Sequence, residues 1–253
     1  MRVLTFALQK GGVGKTSTTL AIGVELARQG LRVLLVDMDP QSNLTTAIGV
    51  DQSQLPRSIY DVLLAPDDGV SGVIVDTPYG VALAPARLIL AGAEMMLVNQ
   101  VGRELVLRSA LSSVQDHYDL CLIDTPPSLG VLTINALCAA HDVIVPLQAH
   151  ALALHAIPQL EDTIKRVRIL NPSLKLTGIV VTMVDRRTTV SRQVEEEARR
   201  VYGDLVFATT IPQATRMIEA PAAGQPIGMY APDSAAAIAY RDLAQEFINR
   251  YAS

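Results

Sequence analysis

The chain has 253 residues, 49% of them apolar and only 18% charged, which supplies one substantial core and excludes a disordered or solvating chain. A formal net charge of −4 excludes a generally basic nucleic-acid binder and leaves only a local basic patch for that role. Two cysteines, Cys121 and Cys138, are too few for a disulfide framework, no secretory signal precedes the first strand, and no apolar run approaches the roughly 18 residues that span a bilayer, so a reduced, soluble, cytoplasmic protein is expected.

The first predicted element is a strand from Val3 to Leu8, running directly into a glycine loop. Ser17 to Gln29 follows with helical spacing: Leu20, Val24 and Ala27 share a side, and Gly30 is the stop. Arg32 to Val36 is a second strand and ends at Asp37. Between Asp51 and Gly102 the signals weaken, broken by Pro56, Pro66, Pro78 and Pro85, and short helices and strands over one sheet edge are expected. Further strands are predicted at Leu120 to Ile123, ending in Asp124, at Val143 to Pro146 and at Leu176 to Val184. Helices are predicted from about Leu152 to Ile169, from Val190 to Tyr202, and from Ala235 to Tyr251 with Ile238, Leu243, Phe247 and Ile248 on one face. Continuous apolar strands joined by amphipathic helices indicate an α/β fold: a single doubly wound, mostly parallel sheet with helices on both faces, one domain over residues 1–253. With no Trp and three Phe, Val, Leu, Ile and Ala must fill the core.

The segment Gln9-Lys10-Gly11-Gly12-Val13-Gly14-Lys15-Thr16-Ser17 stands between the first strand and its helix. Phosphate oxygens need donors close to the backbone. Glycines permit that approach, and a helix N-terminus adds a favourable dipole. In such a loop Lys15 contacts the β- and γ-phosphates of ATP and the Thr16 hydroxyl binds Mg²⁺. The strict pattern G-x-x-x-x-G-K-S/T is not met, because Gln9 stands at its first position, and Lys10 is not needed for a one-site cradle. Asp37 and Asp39 end the second strand, where open α/β sheets face their ligand crevice. Two further apolar runs end in Asp-Thr-Pro, at Asp76 and at Asp124, and local chemistry does not separate them. His150 and His155 lack a third ligand at metal spacing.

The Lys10-to-Thr16 loop resembles the deviant Walker A loop of the ParA/MinD ATPases, and the chain as a whole resembles ParA/Soj-type chromosome or plasmid partition ATPases. The likeness is carried by the order of short segments: Asp37-Met38-Asp39-Pro40-Gln41, Ala91-Gly92-Ala93-Glu94, Asp124-Thr125-Pro126-Pro127, Thr182-Met183, Ile211-Pro212 and Glu219-Ala220-Pro221. It implies that Lys10 crosses to the nucleotide of a second subunit, giving an ATP-bound homodimer. It implies that Asp39 orients the attacking water, that Asp37 supports the magnesium shell, and that Asp124, in the second switch, holds Mg²⁺ through water while Asp76 is structural. Met183 and Pro212 are carried over as adenine contacts. Arg187, Arg192 and Arg216 become candidates for non-specific double-stranded DNA, and Lys165, Arg166, Arg168, Arg199 and Arg200 add local positive charge. Gln213 departs from the family's arginine after Ile-Pro, as does Gln148-Ala149-His150-Ala151-Leu152 from its acidic or aromatic stretch. The function implied is a Mg-ATP-dependent, nucleoid-associated partition ATPase working with a ParB-like centromere-binding partner. A MinD-like membrane cycle would need a basic amphipathic tail that Asn249 to Ser253 does not supply. A bound iron–sulfur cluster would need exposed axial cysteines, whereas Cys121 and Cys138 fall in a strand and a helix.

Overall fold

The computed structural model describes residues 1–151 and 153–251; the expected helix start at Leu152 and the terminal Ala252-Ser253 lie outside them. Strand β1 (Arg2–Phe6) leads through the glycine loop into helix α1 (Lys15–Arg28), and β2 (Val33–Asp37) follows. Apolar side chains in these strands alternate between two cores. Val3, Leu34 and Val36 join one; Leu4, Phe6, Val33 and Leu35 join the other. Both faces of the sheet are therefore covered, which is why these strands read as unbroken apolar runs instead of alternating ones.

The connection after β2 contains α2 (Asn43–Ala47) and α3 (Ile59–Leu64), then β3 (Val75–Asp76) and β4 (Ala82–Ala84). The two short strands extend the sheet edge: β4 pairs parallel to β2, and β3 caps it antiparallel. Asp76, on this outermost strand, is exposed. Next come α4 (Ala93–Leu97), α5 (Val106–Leu111), β5 (Leu120–Asp124), α6 (Val131–Ala139) and β6 (Asp142–Gln148). The chain closes with α7 (Ala156–Val167), β7 (Lys175–Thr182), α8 (Thr189–Tyr202), α9 (Arg216–Ala222), α10 (Ile227–Tyr230) and α11 (Ala235–Tyr251). The seven-stranded sheet has the order β3-β4-β2-β5-β1-β6-β7, parallel except for β3.

Two boundaries and one helix face differ from the sequence expectations for identifiable reasons. Strand β7 stops at Thr182 because Met183 takes φ 55°, a left-handed conformation that breaks the ladder. Helix α7 begins at Ala156, after a turn in which Ala153 N donates to His150 O. On α11, Leu243 and Phe247 are buried, but Ile238 is 44% exposed and Tyr240 takes the inward position. All three phenylalanines form one stack, with Phe6 and Phe207 parallel to Phe247 at 6.2 and 4.9 Å between centroids.

That stack sits against Gly178, where an added Cβ would lie 2.5 Å from Phe207 Cε2 and 2.9 Å from Ile144 Cδ1. Overfilling a packed core by one methyl costs about 1–3 kcal/mol. Gly178→Ala is therefore expected to lower Tm, by roughly 2–4 °C for each kcal/mol in a chain of this size. A calorimetric scan showing no loss of Tm would contradict this packing.

Candidate nucleotide site

Parallel register carries three strand ends to one place. Phe6 pairs with Asp124 across β1 and β5, and Asp37 pairs with Asp124 across β2 and β5. The glycine loop leaves β1 immediately above the two carboxylates. Gly14, with φ 91°, sits at the entry to α1, a conformation an L side chain rarely adopts. The loop is braced from below: Thr182 Oγ1 donates to Val13 O at 2.8 Å, and Thr125 Oγ1 to Phe6 O at 2.7 Å. A Cβ added at Gly11 or Gly12 would meet no atom within 4 Å, so the side of the loop without side chains is open. It faces a cavity of roughly 580 Å³, within the usual range for small-molecule sites.

Lys15 is only 7% exposed, and its Nζ donates to Lys10 O at 3.1 Å and Leu8 O at 3.4 Å. Burial pulls its pKa down, opposed by the Asp124 and Asp39 carboxylates. Lys10 is half-buried and forms no ion pair among the described residues. Thr16 Oγ1 donates to Asp124 Oδ2 at 2.6 Å, while the fully buried Asp124 Oδ1 has no hydrogen-bond partner. Burial holds the Asp124 carboxyl well above its ordinary range, reinforced by the neighbouring Asp37. A buried carboxylate oxygen without a partner is costly, and a cation beside Thr16 and Asp124 would remove that cost. The donor set thus fits magnesium. No group of three or more His, Cys, Asp or Glu among the described residues is placed to hold a metal, so phosphate and water oxygens would complete its shell.

Asp37 lies beside Asp124, but both its oxygens already have protein partners. Oδ2 accepts from Thr45 N at 2.9 Å and Thr45 Oγ1 at 2.7 Å, and Oδ1 accepts from Asp39 N at 3.1 Å. Burial raises its pKa to about 6, against the pull of the Thr45 bonds. Asp39 lines the cavity, with Oδ1 accepting from Gln41 N at 2.9 Å.

Of the two residues carried over as base contacts, Met183 lines the cavity and Pro212 does not. Pro212 is half-buried and bridges to Val184, one residue beyond Met183. The outer wall is instead built by α2 and α9, through Thr46, Ala47, Met217, Ala220 and Pro221, with Gln225 beyond. The sequence signal for that wall is Glu219-Ala220-Pro221, which by itself speaks only to family order. His150 and His155 belong to no metal-holding group among the described residues.

The basic residues divide by partner. Arg187 and Arg216 lie on neighbouring segments joined by the Val184–Pro212 bridge and by Gln213 N donating to Val184 O. Each is paired locally, Arg187 with Asp185 at 2.8 Å and Arg216 with Glu219 at 2.6 Å. Arg187 pulls the Asp185 pKa down to about 2. Arg192 is exposed and forms no ion pair among the described residues, whereas Arg199 and Arg200 pair with Glu195 and Glu197. Arg168 Nε donates to Leu174 O, and Lys165 pairs with the exposed Asp162.

A mostly parallel sheet that feeds a glycine loop into a helix N-terminus, with carboxylates at the adjacent strand ends, defines a P-loop nucleotide-binding protein. Residues 1–176 match the family described as AAA domain. The chain is 44% identical over 253 residues to the chromosome partitioning protein ParA of Caulobacter vibrioides, covering 99% of this chain and 95% of that one. It is 42% identical over 246 residues to the sporulation initiation inhibitor protein Soj of Bacillus subtilis, covering 97% of each. It therefore belongs to the ParA/Soj family of partition-type ATPases. Among solved structures it resembles cobyrinic acid a,c-diamide synthase from Mycobacterium smegmatis with bound ATP analogue and magnesium, at a TM-score of 0.88 and 45% identity over 100% of this chain and 96% of that one.

Proposed function

We propose that this protein is a Mg-ATP-dependent ATPase that dimerises around its nucleotides, binds double-stranded DNA without sequence preference and drives chromosome or plasmid partition with a centromere-binding partner. The observation that carries this reading is the pair of lysines in one loop. Lys15 is buried against the loop carbonyls, within the field of two carboxylates, while Lys10 stands half-buried on the same loop with no ion pair among the described residues. A single-site cradle uses the first; the second suits the phosphates of a nucleotide held by a facing copy.

In this reading Gly11, Gly12, Val13 and Gly14 cradle the phosphates with backbone N–H groups, and Thr16 and Ser17 continue the cradle into α1. Lys15 balances charge on the β- and γ-phosphates. Thr16 and Asp124 hold magnesium, with Asp37 behind them; when bound, the ion neutralises phosphate charge. Asp39 orients the attacking water, Met183 borders the base, and Pro212 supports it from outside the cavity. Phosphoryl transfer asks mainly for positioning and charge stabilisation, which one placed carboxylate and two lysines supply.

The name of the Mycobacterium smegmatis relative points to a different chemistry, amide transfer. Glutamine-dependent amide transfer uses a reactive thiolate, whereas Cys121 and Cys138 are both buried. Burial pushes the Cys121 thiol far up and the Cys138 thiol to about 11, so neither supplies that nucleophile. A bilayer span has no support either: no helix of the described residues is long and apolar enough to cross a membrane.

For DNA, the exposed Arg187 and Arg216 exchange their half-buried carboxylate partners for phosphates at modest cost, because ion pairs at a surface are weak. A dimer doubles the patch, with Arg192 at its side. Arg187→Glu with Arg216→Glu is expected to weaken ATP-dependent DNA binding at least tenfold at moderate salt. The logarithmic salt slope should fall by about one for each phosphate that is no longer neutralised, so by up to about four per dimer. Sizing in ATP should be unchanged. An unaltered salt titration on duplex DNA would remove these residues from the interface.

A further inference from the structure

The segment joining β2 to α2 carries Asp39 and makes an unusual descent into the protein. Ser42 is fully buried and takes φ 53°, a left-handed conformation that favours glycine. A loop held this way needs contacts that fix it, and the strongest converge on Thr45. Its hydroxyl has one proton to donate, and gives it to Asp37 Oδ2 at 2.7 Å. Thr45 Oγ1 itself accepts from Ala86 N, just beyond β4, at 3.0 Å. The backbone N of Thr45 also donates to Asp37 Oδ2 at 2.9 Å. One side chain thus ties α2, the end of β2 and the exit of β4 together, entirely out of solvent.

Asp37 passes this constraint on. Its other oxygen accepts from Asp39 N at 3.1 Å, and Asp39 in turn accepts from Gln41 N and, through its carbonyl, from Ser42 N at 2.8 Å. The direction of the Asp39 carboxylate is therefore set from behind by Thr45 acting through Asp37. Thr45 itself is not in the cavity wall, although Asn43 and Thr46 on the same helix are.

We infer that Thr45 is a positioning residue for hydrolysis, fixing Asp39 through Asp37 without touching the nucleotide. This rests on the role proposed for Asp39. Misplacement of a reacting group by about 1 Å costs on the order of 10²-fold in rate. Thr45→Val keeps the branched shape and removes both hydroxyl bonds, whereas Thr45→Ser keeps the hydroxyl.

The test has two parts. Steady-state ATP turnover of the full chain should show Thr45→Val lowering kcat about 10–100-fold with KM for ATP within about threefold, and Thr45→Ser restoring kcat to within about threefold of wild type. In parallel, amide hydrogen exchange of the nucleotide-free chain should rise across residues 39–47 in Thr45→Val while α1 and α11 keep their protection. Unchanged kcat, a KM that rises in step with the loss, or no rescue by serine would overturn the positioning role. Unchanged exchange across 39–47 would overturn the latch itself, even if wild-type turnover proved absent and the proposed ATPase function failed separately.

Discussion

Asp39→Ala is expected to abolish steady-state ATP turnover, by roughly 10²–10⁴-fold, while leaving ATP bound at least as tightly as in wild type. Asp39 is 6% exposed and lines the cavity beside the phosphate loop, so in the proposed ATP complex its negative charge would stand near the γ-phosphate. Removing it relieves like-charge repulsion toward ATP and removes the group that orients water, so affinity and rate move in opposite directions. The alanine also leaves Gln41 N without its acceptor. Asp39→Asn keeps a side-chain oxygen for that contact, and it should be nearly as slow as alanine if charge at this position matters. Turnover by a coupled phosphate assay, with nucleotide affinity by fluorescence titration, separates the two effects. A variant that hydrolyses ATP at the normal rate removes Asp39 from the mechanism.

Lys15→Ala should lose nucleotide rather than turnover alone. Its ammonium is desolvated and held between loop carbonyls and the Asp39 and Asp124 carboxylates. The substitution removes the cation proposed to pair with the β- and γ-phosphates, and losing one partner of a buried charge pair costs about 3–5 kcal/mol, equivalent to roughly 10²–10³-fold or more in affinity. The substitution also leaves three carboxylates at one end of the sheet with no cation among them, so a melting curve of the free protein belongs beside the binding titration. If ATP binds Lys15→Ala with wild-type affinity, the loop is not the phosphate site.

The parts of this molecule that were legible in its sequence are those where one physical requirement dominates. Strands buried on both faces must be apolar throughout, so β1, β2, β5 and β6 stood out, and the glycine loop between β1 and α1 had to be open to a ligand. The choice between Asp76 and Asp124 was not local. It was made from the family resemblance of the following segment; register puts Asp124 opposite Phe6 and Asp37 in the middle of the sheet and Asp76 on an exposed antiparallel edge. The cavity's outer wall was hidden because α2 and α9 are too short for their apolar spacing to declare a face. The grip of Thr45 on Asp37 was hidden because a threonine eight residues downstream of an aspartate carries no pattern until the chain turns back at Ser42. For the basic surface, composition lists the arginines but cannot show that several of them pair with glutamates on the same helix.

The central claim is that the loop reads two nucleotides, one in its own subunit through Lys15 and one in a facing copy through Lys10. Sedimentation velocity of Asp39→Ala in Mg-ATP, compared with Mg-ADP, tests it most directly, because this variant should hold the ATP state without consuming it. A two-chain particle in ATP that reverts to one chain in ADP is the predicted result. A single-chain particle in both nucleotides, at concentrations where ATP is fully bound, would contradict it.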